Sequence, residues 1–329
     1  MIEVNHLVKK YGDHVAVDDL SITIEPGKIY GFLGPNGAGK TTTMNVITGY
    51  LGATSGEVKI SGHDIFKEPE EAKKCIGYLP EQPPLYVDMT VREYMNFVAD
   101  LKKLERGQKK RLIAEAMETT KITEMSDRLI KNLSKGYKQR VGFAQAILGY
   151  PDTIILDEPT VGLDPKQIIE IRDLITTLGK KHTVILSSHI LTEVSSICDY
   201  VFIISKGKLV ANDTTENLLK MMTGNQEIEL TIKGDTGDVS SALNRIDQVS
   251  KVSIIESKEP GTVSAIVSAQ KDADVREDVF RAMVGANLPI LQMQMVTKSL
   301  EDVFLELTQD TGKKKSEGGR KRLEGGRKK

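Results

Sequence analysis

Short apolar runs alternate with amphipathic stretches over the first 220 residues of the chain. A run of four to eight apolar residues predicts a buried strand, whereas apolar positions that recur every three or four residues predict a helix. This alternation predicts an α/β fold with a parallel sheet covered on both faces. The predicted strands are 2–8, 20–24, 29–34, 57–62, 76–79, 153–157, 183–188 and 200–205, and the predicted helices lie near 40–50, 91–104, 108–120, 135–148, 165–178 and 214–222.

The stretch that precedes residue 34 has a different pattern, with a Pro26-Gly27 turn between apolar runs, and it predicts a small antiparallel layer. After the polar residues 222–226 the order becomes strand, helix, strand, strand, helix, strand, with a last helix at 299–308. A βαββαβ order is typical of a small ferredoxin-like α+β module. We therefore predict a first domain over 1–222 and a small accessory domain over 226–308.

The last segment, 309–329, has nine basic and three acidic residues and repeats EGGRK, although the whole chain carries a net charge of only −1. Such a segment cannot bury a core, so we predict a disordered basic tail.

The composition of the rest is that of an ordinary globular protein, and the two cysteines fit no metal or redox spacing. No apolar run approaches the ~20 residues that a membrane helix needs, and the chain starts without a signal-peptide pattern. We expect that the chain does not cross a membrane by itself.

The clearest chemical motif is GPNGAGKT at 34–41, which follows an apolar strand and opens a helix. Glycines let the backbone N–H groups wrap phosphates at the positive end of that helix. Lys40 would reach the β- and γ-phosphates, and the Thr41 hydroxyl would hold Mg²⁺. The alternative, a plain glycine-containing turn, is poorly compatible with this spacing, so the motif predicts a nucleoside triphosphate site.

The apolar run 153–157 ends in Asp157, which is followed by Glu158. Most such strand ends are only structural, but beside a phosphate loop Asp157 is suited to hold Mg²⁺. Glu158 could then accept a proton from the attacking water.

Three further residues are candidates for the predicted nucleotide site. His189, after another apolar strand, could hydrogen-bond the transferring phosphate and hold the water in line with Glu158, although a lone histidine there is more often a surface or core residue. Gln82 could contact both Mg²⁺-bound water and the nucleophile, or be an ordinary loop residue. Tyr11 could lie flat under adenine, or pack at a strand edge.

Together these stretches resemble the nucleotide-binding subunits of ABC transporters, in the order of that family, over residues 1–222. The matching motifs are the adenine-stacking aromatic at Tyr11, the Walker A motif GPNGAGKTT, the Q-loop at Gln82, the signature LSKGYKQR at 133–140, the Walker B motif IILDE, the D-loop GLD at 162–164 and the switch histidine His189. The resemblance implies a P-loop ABC ATPase cassette, with a parallel sheet core, an antiparallel β layer and a helical signature subdomain, that uses ATP and Mg²⁺.

The same resemblance implies which residues form the site. The implied nucleotide-binding residues are Tyr11, Gly34, Pro35, Asn36, Gly37, Ala38, Gly39, Lys40, Thr41, Thr42, Ser134, Gly136 and Asp164. The implied metal site is Thr41, Gln82 and Asp157, and the implied catalytic residues are Glu158, His189 and Gln82.

In this family the signature completes the γ-phosphate site of a second ATPase subunit, identical or not, rather than its own. Ser134 and Gly136 match the family's pattern, whereas Lys135 replaces a glycine and Tyr137 replaces a glutamine. Lys135 could add positive charge near a phosphate or simply point to solvent.

Residues 226–308 resemble more weakly the accessory domain of bacterial exporter and drug-resistance ATPases, and the chain is similar to ATPases paired with exporter or gliding-motility permeases. The resemblance implies an ATPase at the cytoplasmic face of the membrane that drives a separate permease. We expect the permease to contact the face from Gln82 to Asn96, where Pro83, Leu85 and Tyr86 are predicted to be exposed.

The alternative is a soluble ABC ATPase that acts on nucleic acid or a large complex. One cassette and a tail without aromatic residues favour transport, and no specific nucleic acid is expected.

Overall fold

The computed structural model describes residues 1–222, 227–255, 257, 259–270 and 273–296. These residues form two compact units, one over Met1–Thr215 and one that begins at Glu216. The division falls inside the helix that the sequence analysis assigned to the first domain. The domain limits 1–222, 226–308 and 309–329 remain predictions, and both the predicted helix 299–308 and the tail lie outside the described residues.

The first unit contains two sheets and the helices that cover them. Its strands are β1 (Ile2–Tyr11), β2 (His14–Ile24), β3 (Ile29–Leu33), β4 (Ser55–Ile60), β5 (His63–Asp64), β6 (Ile76–Leu79), β7 (Thr153–Asp157), β8 (Thr183–Ser188), β9 (Tyr200–Ser205) and β10 (Lys208–Thr214). Its helices are α1 (Lys40–Ile47), α2 (Pro69–Lys74), α3 (Val91–Leu101), α4 (Arg106–Thr119), α5 (Lys135–Ile147), α6 (Pro165–Gly179) and α7 (Leu191–Ile197), and α8 (Thr215–Met222) follows at the division.

The larger sheet has the strand order β10-β9-β3-β8-β7-β6, and all strands except β10 run parallel. Every residue of β3, β7 and β8 is buried. Strands covered on both faces are continuous apolar runs rather than alternating ones, which explains why the sequence pattern located them within a residue. The smaller sheet is antiparallel in the order β2-β1-β4-β5, as predicted for the early layer.

The first strands are longer than predicted because their alternation is interrupted. Strand β2 begins at His14, not at residue 20, and Asp19 inside it has φ 56°, where the register against β1 shifts. An extra residue at a β-bulge breaks the period of two that identifies a strand in sequence. The short helices α2 and α7 and the edge strands β5 and β10 were not predicted, since each is too short or too polar to show a period.

The second unit consists of β11 (Glu227–Lys233), α9 (Thr236–Leu243), β12 (Val249–Ile255), β13 (Thr262–Ala269), α10 (Arg276–Gly285) and β14 (Ile290–Val296). Its sheet is antiparallel with the order β12-β13-β11-β14. Val239 and Leu243 of α9 and Val279 and Met283 of α10 are buried in one apolar cluster with strand residues such as Leu230. Both helices therefore cover one face of the sheet in a βαββαβ arrangement. No helix in the described parts of either unit has the length and apolar character to span a membrane.

The contact between β6 and α5 depends on Gly77. A Cβ atom at Gly77 would lie 2.1 Å from the carbonyl oxygen of Ala146, whereas a Cβ atom at Gly107 in α4 would meet nothing within 4 Å. We expect Gly77→Ala to destabilise the first unit by about 1–3 kcal/mol, because the new methyl group would force the backbone of β6 away from the backbone at Ala146. Gly107→Ala is the matched control and should be neutral or stabilising, since alanine is the better helix former. Urea unfolding followed by circular dichroism measures both, and equal midpoints for the two variants would contradict the close packing.

Candidate functional site

The loop between β3 and α1 forms one wall of a cleft of about 460 Å³. Gly37 and Gly39 have φ 77° and 106°, and a Cβ atom at Gly39 would lie 2.4 Å from the Ala16 carbonyl oxygen. A Cβ atom at Gly34 would lie 2.5 Å from the Ile204 carbonyl oxygen, so the loop backbone takes this path only with glycine at these positions. The cleft is lined by Tyr11, His14, Ala16, Pro35, Asn36, Gly37, Ala38, Gly39, Lys40, Thr41, Thr42, Glu81, Glu158, Val161 and His189.

Lys40 is buried at the floor of this cleft. Its Nζ donates to the carbonyl oxygen of Gly34 at 2.7 Å and lies 3.3 Å from Oε1 of Glu158. The carbonyl of Pro35 is a further acceptor at 3.4 Å. A buried ammonium group thus faces the glycine-rich loop with one carboxylate as its counter-charge, and incoming phosphate oxygens can compete for it.

Asp157, the last residue of β7, is 1% exposed. Its Oδ1 accepts hydrogen bonds from Ser187 Oγ and, at 3.3 Å, from Thr41 Oγ1, whereas its buried Oδ2 has no hydrogen-bond partner within the described residues. Burial raises the pKa of this carboxyl group, and the charges of Glu158 and Glu81 raise it further, against the two hydroxyl donors. An unpartnered carboxylate oxygen beside a threonine hydroxyl is a donor set that fits Mg²⁺.

Glu158 follows Asp157 with φ 47°, a left-handed conformation that costs on the order of 1–3 kcal/mol for a residue with a side chain. Its N–H donates to Ser187 Oγ at 3.0 Å. The two carboxylate oxygens point to different partners, Oε1 to Lys40 and Oε2 to His189 Nδ1 at 2.9 Å. His189 is 42% exposed, so it stands between Glu158 and solvent.

Tyr11 and Gln82 lie at the edges of the cleft. Tyr11 is 46% exposed, and Lys9 Nζ lies 5.2 Å from the centre of its ring. Gln82 is exposed and lines a neighbouring cleft together with Thr41 and Asp157, whereas its neighbour Glu81 lines the phosphate cleft. Gln82 therefore shares a cleft with the predicted metal ligands Thr41 and Asp157, but it does not line the cleft that contains Lys40.

Besides Gly34, whose carbonyl oxygen accepts from Lys40, three predicted binding residues are not among those that line the phosphate cleft. Ser134 is the N-cap of α5 and its Oγ accepts from Tyr137 N–H at 3.4 Å, while Asp164 is the N-cap of α6 and accepts from Gln167 N–H at 2.9 Å. Gly136 packs against the Gln167 side chain, where a Cβ atom would approach within 2.6 Å. The structure brings Gly136 and Asp164 together at Gln167, and Ser134 lies two residues before Gly136.

Lys135 is exposed, and its amine rests against Gly162, where a Cβ atom would lie 2.0 Å from Nζ. It therefore folds over the loop that carries Asp164.

The ABC transporter family model matches residues 17–161. The chain is 36% identical to the bacitracin transport ATP-binding protein BcrA of Bacillus licheniformis, over 93% of this chain and 97% of that protein. It is 31% identical to the linearmycin resistance ATP-binding protein LnrL of Bacillus subtilis (strain 168), over 94% of this chain and 99% of that protein. The chain belongs to the ATP-binding subunits of ABC transporters. A solved ATP-binding subunit of an ABC transporter has the same cassette fold, with a TM-score of 0.62 and 28% identity over 67% of this chain and 92% of that one.

Membership of this family means that the protein binds ATP and is an ATPase, which confirms the predicted cassette fold and enzyme class. The roles of the individual site residues rest on the sequence motifs and on the geometry of the cleft.

Sequence reasoning missed two buried polar residues, Ser187 and Glu193, that contact the segments of the site. Ser187 is the register partner of Asp157 across β7 and β8, and its hydroxyl contacts both Asp157 and the N–H of Glu158. Its position at the end of an apolar strand was a usable signal, because neighbouring parallel strands end at one edge of the sheet. Glu193, a buried acid in α7, had no such signal.

We expect Asp157→Asn to stabilise the metal-free ATPase by about 1–3 kcal/mol, because the variant removes a buried charge that has an unpartnered oxygen. The same variant should lose the additional stabilisation that MgATP gives over ATP with EDTA. Thermal unfolding in the two buffers measures both effects. Asp152→Asn, at an exposed residue just before the opposite end of β7, is the control. A less stable Asp157→Asn that keeps the Mg²⁺ increment would contradict the metal assignment.

Proposed function

We propose that this ATPase binds two ATP molecules in a head-to-tail dimer and drives export of a substrate through a separate membrane permease. The observation that carries the proposal is the division of the site residues. Lys40, Glu158 and His189 line one cleft, with Asp157 beside it, whereas Ser134 and Gly136 are not part of its lining. A complete γ-phosphate site then requires a second subunit.

Within one cassette, each side chain has a distinct task. Glu158 accepts the proton of the attacking water, and His189 holds that carboxylate through the 2.9 Å contact at Oε2. Lys40 turns its charge to the β- and γ-phosphates, which compete with Glu158 for it. Tyr11 stacks on adenine. Thr41, Asp157 and Gln82 would hold a Mg²⁺ ion, which would supply positive charge to the phosphate oxygens.

The second subunit contributes the start of α5. Ser134 is exposed at this helix end, and Gly136, which is buried, leaves room in the first turn for the Gln167 side chain. The N–H groups and positive dipole at a helix start suit a γ-phosphate, and Asp164 caps the adjacent helix. We propose that these residues meet the nucleotide held by the partner's Walker A loop.

The surface beside Gln82 is proposed to receive the permease. It contains a cleft of about 780 Å³ that is rich in aromatic and aliphatic side chains. Tyr86 is 55% exposed and packs edge-on against Phe97 with ring centres 5.1 Å apart, and Leu101 is 65% exposed. Pro83 and Leu85, predicted to be exposed, are half-buried; Pro83 lies where a Cβ atom on Gly142 of α5 would approach within 2.9 Å. The proposed patch therefore centres on Tyr86 and Leu101.

The direction and type of cargo are inferred from relatives. BcrA and LnrL are named for bacitracin transport and linearmycin resistance, and both align over nearly their whole length. We infer export of an antibiotic-like compound, because one name gives transport of such a compound and the other gives resistance to one. The ATPase would then act as a peripheral subunit on the cytoplasmic face of the membrane.

Two inactive variants should restore each other if every site is built from two chains. Lys40→Ala removes the phosphate cation of the local site, and Ser134→Glu sets a negative charge against the γ-phosphate of the partner's site. In a mixed dimer one site carries both defects, whereas the other combines an intact Lys40 with an intact Ser134. With free exchange, about a quarter of the parent's phosphate release should return.

The experiment mixes the purified variants at equal concentration, with the permease where the ATPase requires it. Mixing Lys40→Ala with a Lys40→Ala/Ser134→Glu double variant is the matched control, since no intact site can form. Mixed dimers that are demonstrated by affinity tags but release no phosphate would contradict shared sites, unless a one-site dimer also proves inactive.

A negative charge introduced on the proposed permease surface should weaken binding of the permease and leave binding of ATP unchanged. We expect Tyr86→Asp together with Leu101→Asp to leave ATP affinity unchanged and to reduce co-purification with the permease at least tenfold, because an interface core excludes unpaired charge. Phe280→Asp, equally exposed but in the second unit, is the control. Loss of ATP binding in the double variant would show that the patch is part of the cassette core.

A further inference from the structure

A buried carboxylate, Glu193 in α7, lies behind the catalytic pair and is 2% exposed. One of its oxygens, Oε2, accepts hydrogen bonds from Thr160 Oγ1 at 2.8 Å and from Ser188 Oγ at 3.1 Å. The other oxygen, Oε1, lies 3.7 Å from Arg172 Nη2 and has no hydrogen-bond partner within the described residues. The carboxylate is thus held chiefly by two hydroxyl groups.

Those two hydroxyl groups belong to the two segments that carry the catalytic contact. Thr160 comes two residues after Glu158, and Ser188 immediately precedes His189. The Ser188 hydroxyl also accepts from the N–H of Ile190 at 3.0 Å, so the backbone is fixed on both sides of His189. A single oxygen of Glu193 therefore links the chain on both sides of the 2.9 Å contact between Glu158 and His189.

The backbone around Glu158 needs such restraint. A left-handed residue that is not glycine persists only when its surroundings fix it. Ser187 accepts from the N–H of Glu158, Gln139 Nε2 donates to the carbonyl of Pro159 at 3.0 Å, and Glu193 accepts from Thr160. The three consecutive residues 158–160 are each fixed by a different element.

Packing alone does not account for an acid at this position. Burying a carboxylate is costly, and an apolar side chain of similar volume is often equally or more stabilising. What the acid adds is direction, since a carboxylate can accept from two donors at once and such charge-assisted bonds are stronger than neutral ones. Its partners are the hydroxyls of the two catalytic segments.

We propose that Glu193 is a positioning residue for ATP hydrolysis, which holds the Glu158 and His189 segments in register so that the carboxylate stays aligned with the attacking water. The proposal rests on the proposed roles of Glu158 and His189. Glu193 does not line the cleft, and its effect would reach the reaction through Thr160 and Ser188. Misplacement of a catalytic group by about 1 Å can lower a rate by roughly a hundredfold, so a network of this kind can matter for turnover.

Thr160 offers a matched pair of variants. Thr160→Val keeps the shape of the side chain and removes the hydroxyl, whereas Thr160→Ser keeps the hydroxyl. We expect Thr160→Val to lower kcat about tenfold with an unchanged KM for ATP, and Thr160→Ser to stay within about twofold of the parent. Ser196→Ala is the control, because the Ser196 hydroxyl donates to the Glu193 main-chain carbonyl and not to its carboxylate.

A second variant covers the case in which Thr160→Val folds poorly. Glu193→Gln keeps the shape and an oxygen acceptor but loses the charge, so kcat should fall less than in Thr160→Val, again with an unchanged KM. All rates are measured well below the unfolding midpoint of each variant.

A merely structural role is separated by repeating Thr160→Val in a His189→Ala background, in single-turnover reactions followed over long times. If Glu193 acts by aligning the Glu158–His189 pair, the additional loss should nearly vanish once that pair is broken. A general loss of folded protein would lower the residual rate equally in both backgrounds and would overturn the proposal. A parent-like kcat in both Thr160→Val and Glu193→Gln would also overturn it.

The proposed role of Glu158 can be tested separately from that of Glu193. Glu158→Gln should bind ATP and nearly stop turnover. Near-parent turnover of Glu158→Gln would refute the proposed base, whereas an inactive Glu158→Gln with a parent-like kcat in both Thr160→Val and Glu193→Gln would refute only the role of Glu193.

Discussion

Strands β3, β8 and β7 run parallel, with Leu33 opposite Ser188 and Ser187 opposite Asp157, and their carboxyl ends meet at one edge of the sheet. Three chain segments that are distant in sequence therefore leave the sheet at the same place. The first becomes the glycine-rich loop, and the others carry Asp157 and His189. Without this parallel register, Lys40 and His189 could not both contact the Glu158 carboxylate, because the three residues are far apart in sequence.

The convergence concentrates charge where the protein excludes water. Lys40 and Glu158 partly balance each other, but Asp157 keeps an oxygen without a partner and Glu158 keeps a strained backbone. Each feature costs stability, and we expect binding of phosphates and a cation to offset that cost. This arrangement of charges suits a charged ligand. Burial of the continuous apolar strands around it stabilises the fold against the cost of the strained and unpartnered groups.

The sequence predicts the parts of this arrangement that depend on short-range patterns. The glycine spacing in 34–41 is dictated by positive φ angles and by contacts that leave no room for a Cβ atom, so it is visible in sequence. The buried strands are visible because both faces are covered. Ser187 was missed although its place at the end of an apolar strand was a usable signal, because its partner is set by the register of two strands. Glu193 was missed because burial of a single polar group has no period. The exposure of Pro83 was misjudged for a related reason: a proline-rich loop suggests surface, whereas Gly142 of α5 makes room for it.

The position of α5 adds a further constraint on how the cassette works as a subunit. The helix begins after Ser134, which is exposed, and Gln139 along the same helix is buried with its amide on the carbonyl of Pro159. An α-helix is stiff over such a length, so its exposed start and its buried contact cannot move independently. The contact ends on the residue directly after Glu158, inside the segment that Glu193 also holds through Thr160. The surface that is proposed to meet a partner's nucleotide and the carboxylate that is proposed to act on the local one are therefore joined by one helix and one hydrogen bond, which is a physical basis for two shared sites to sense each other.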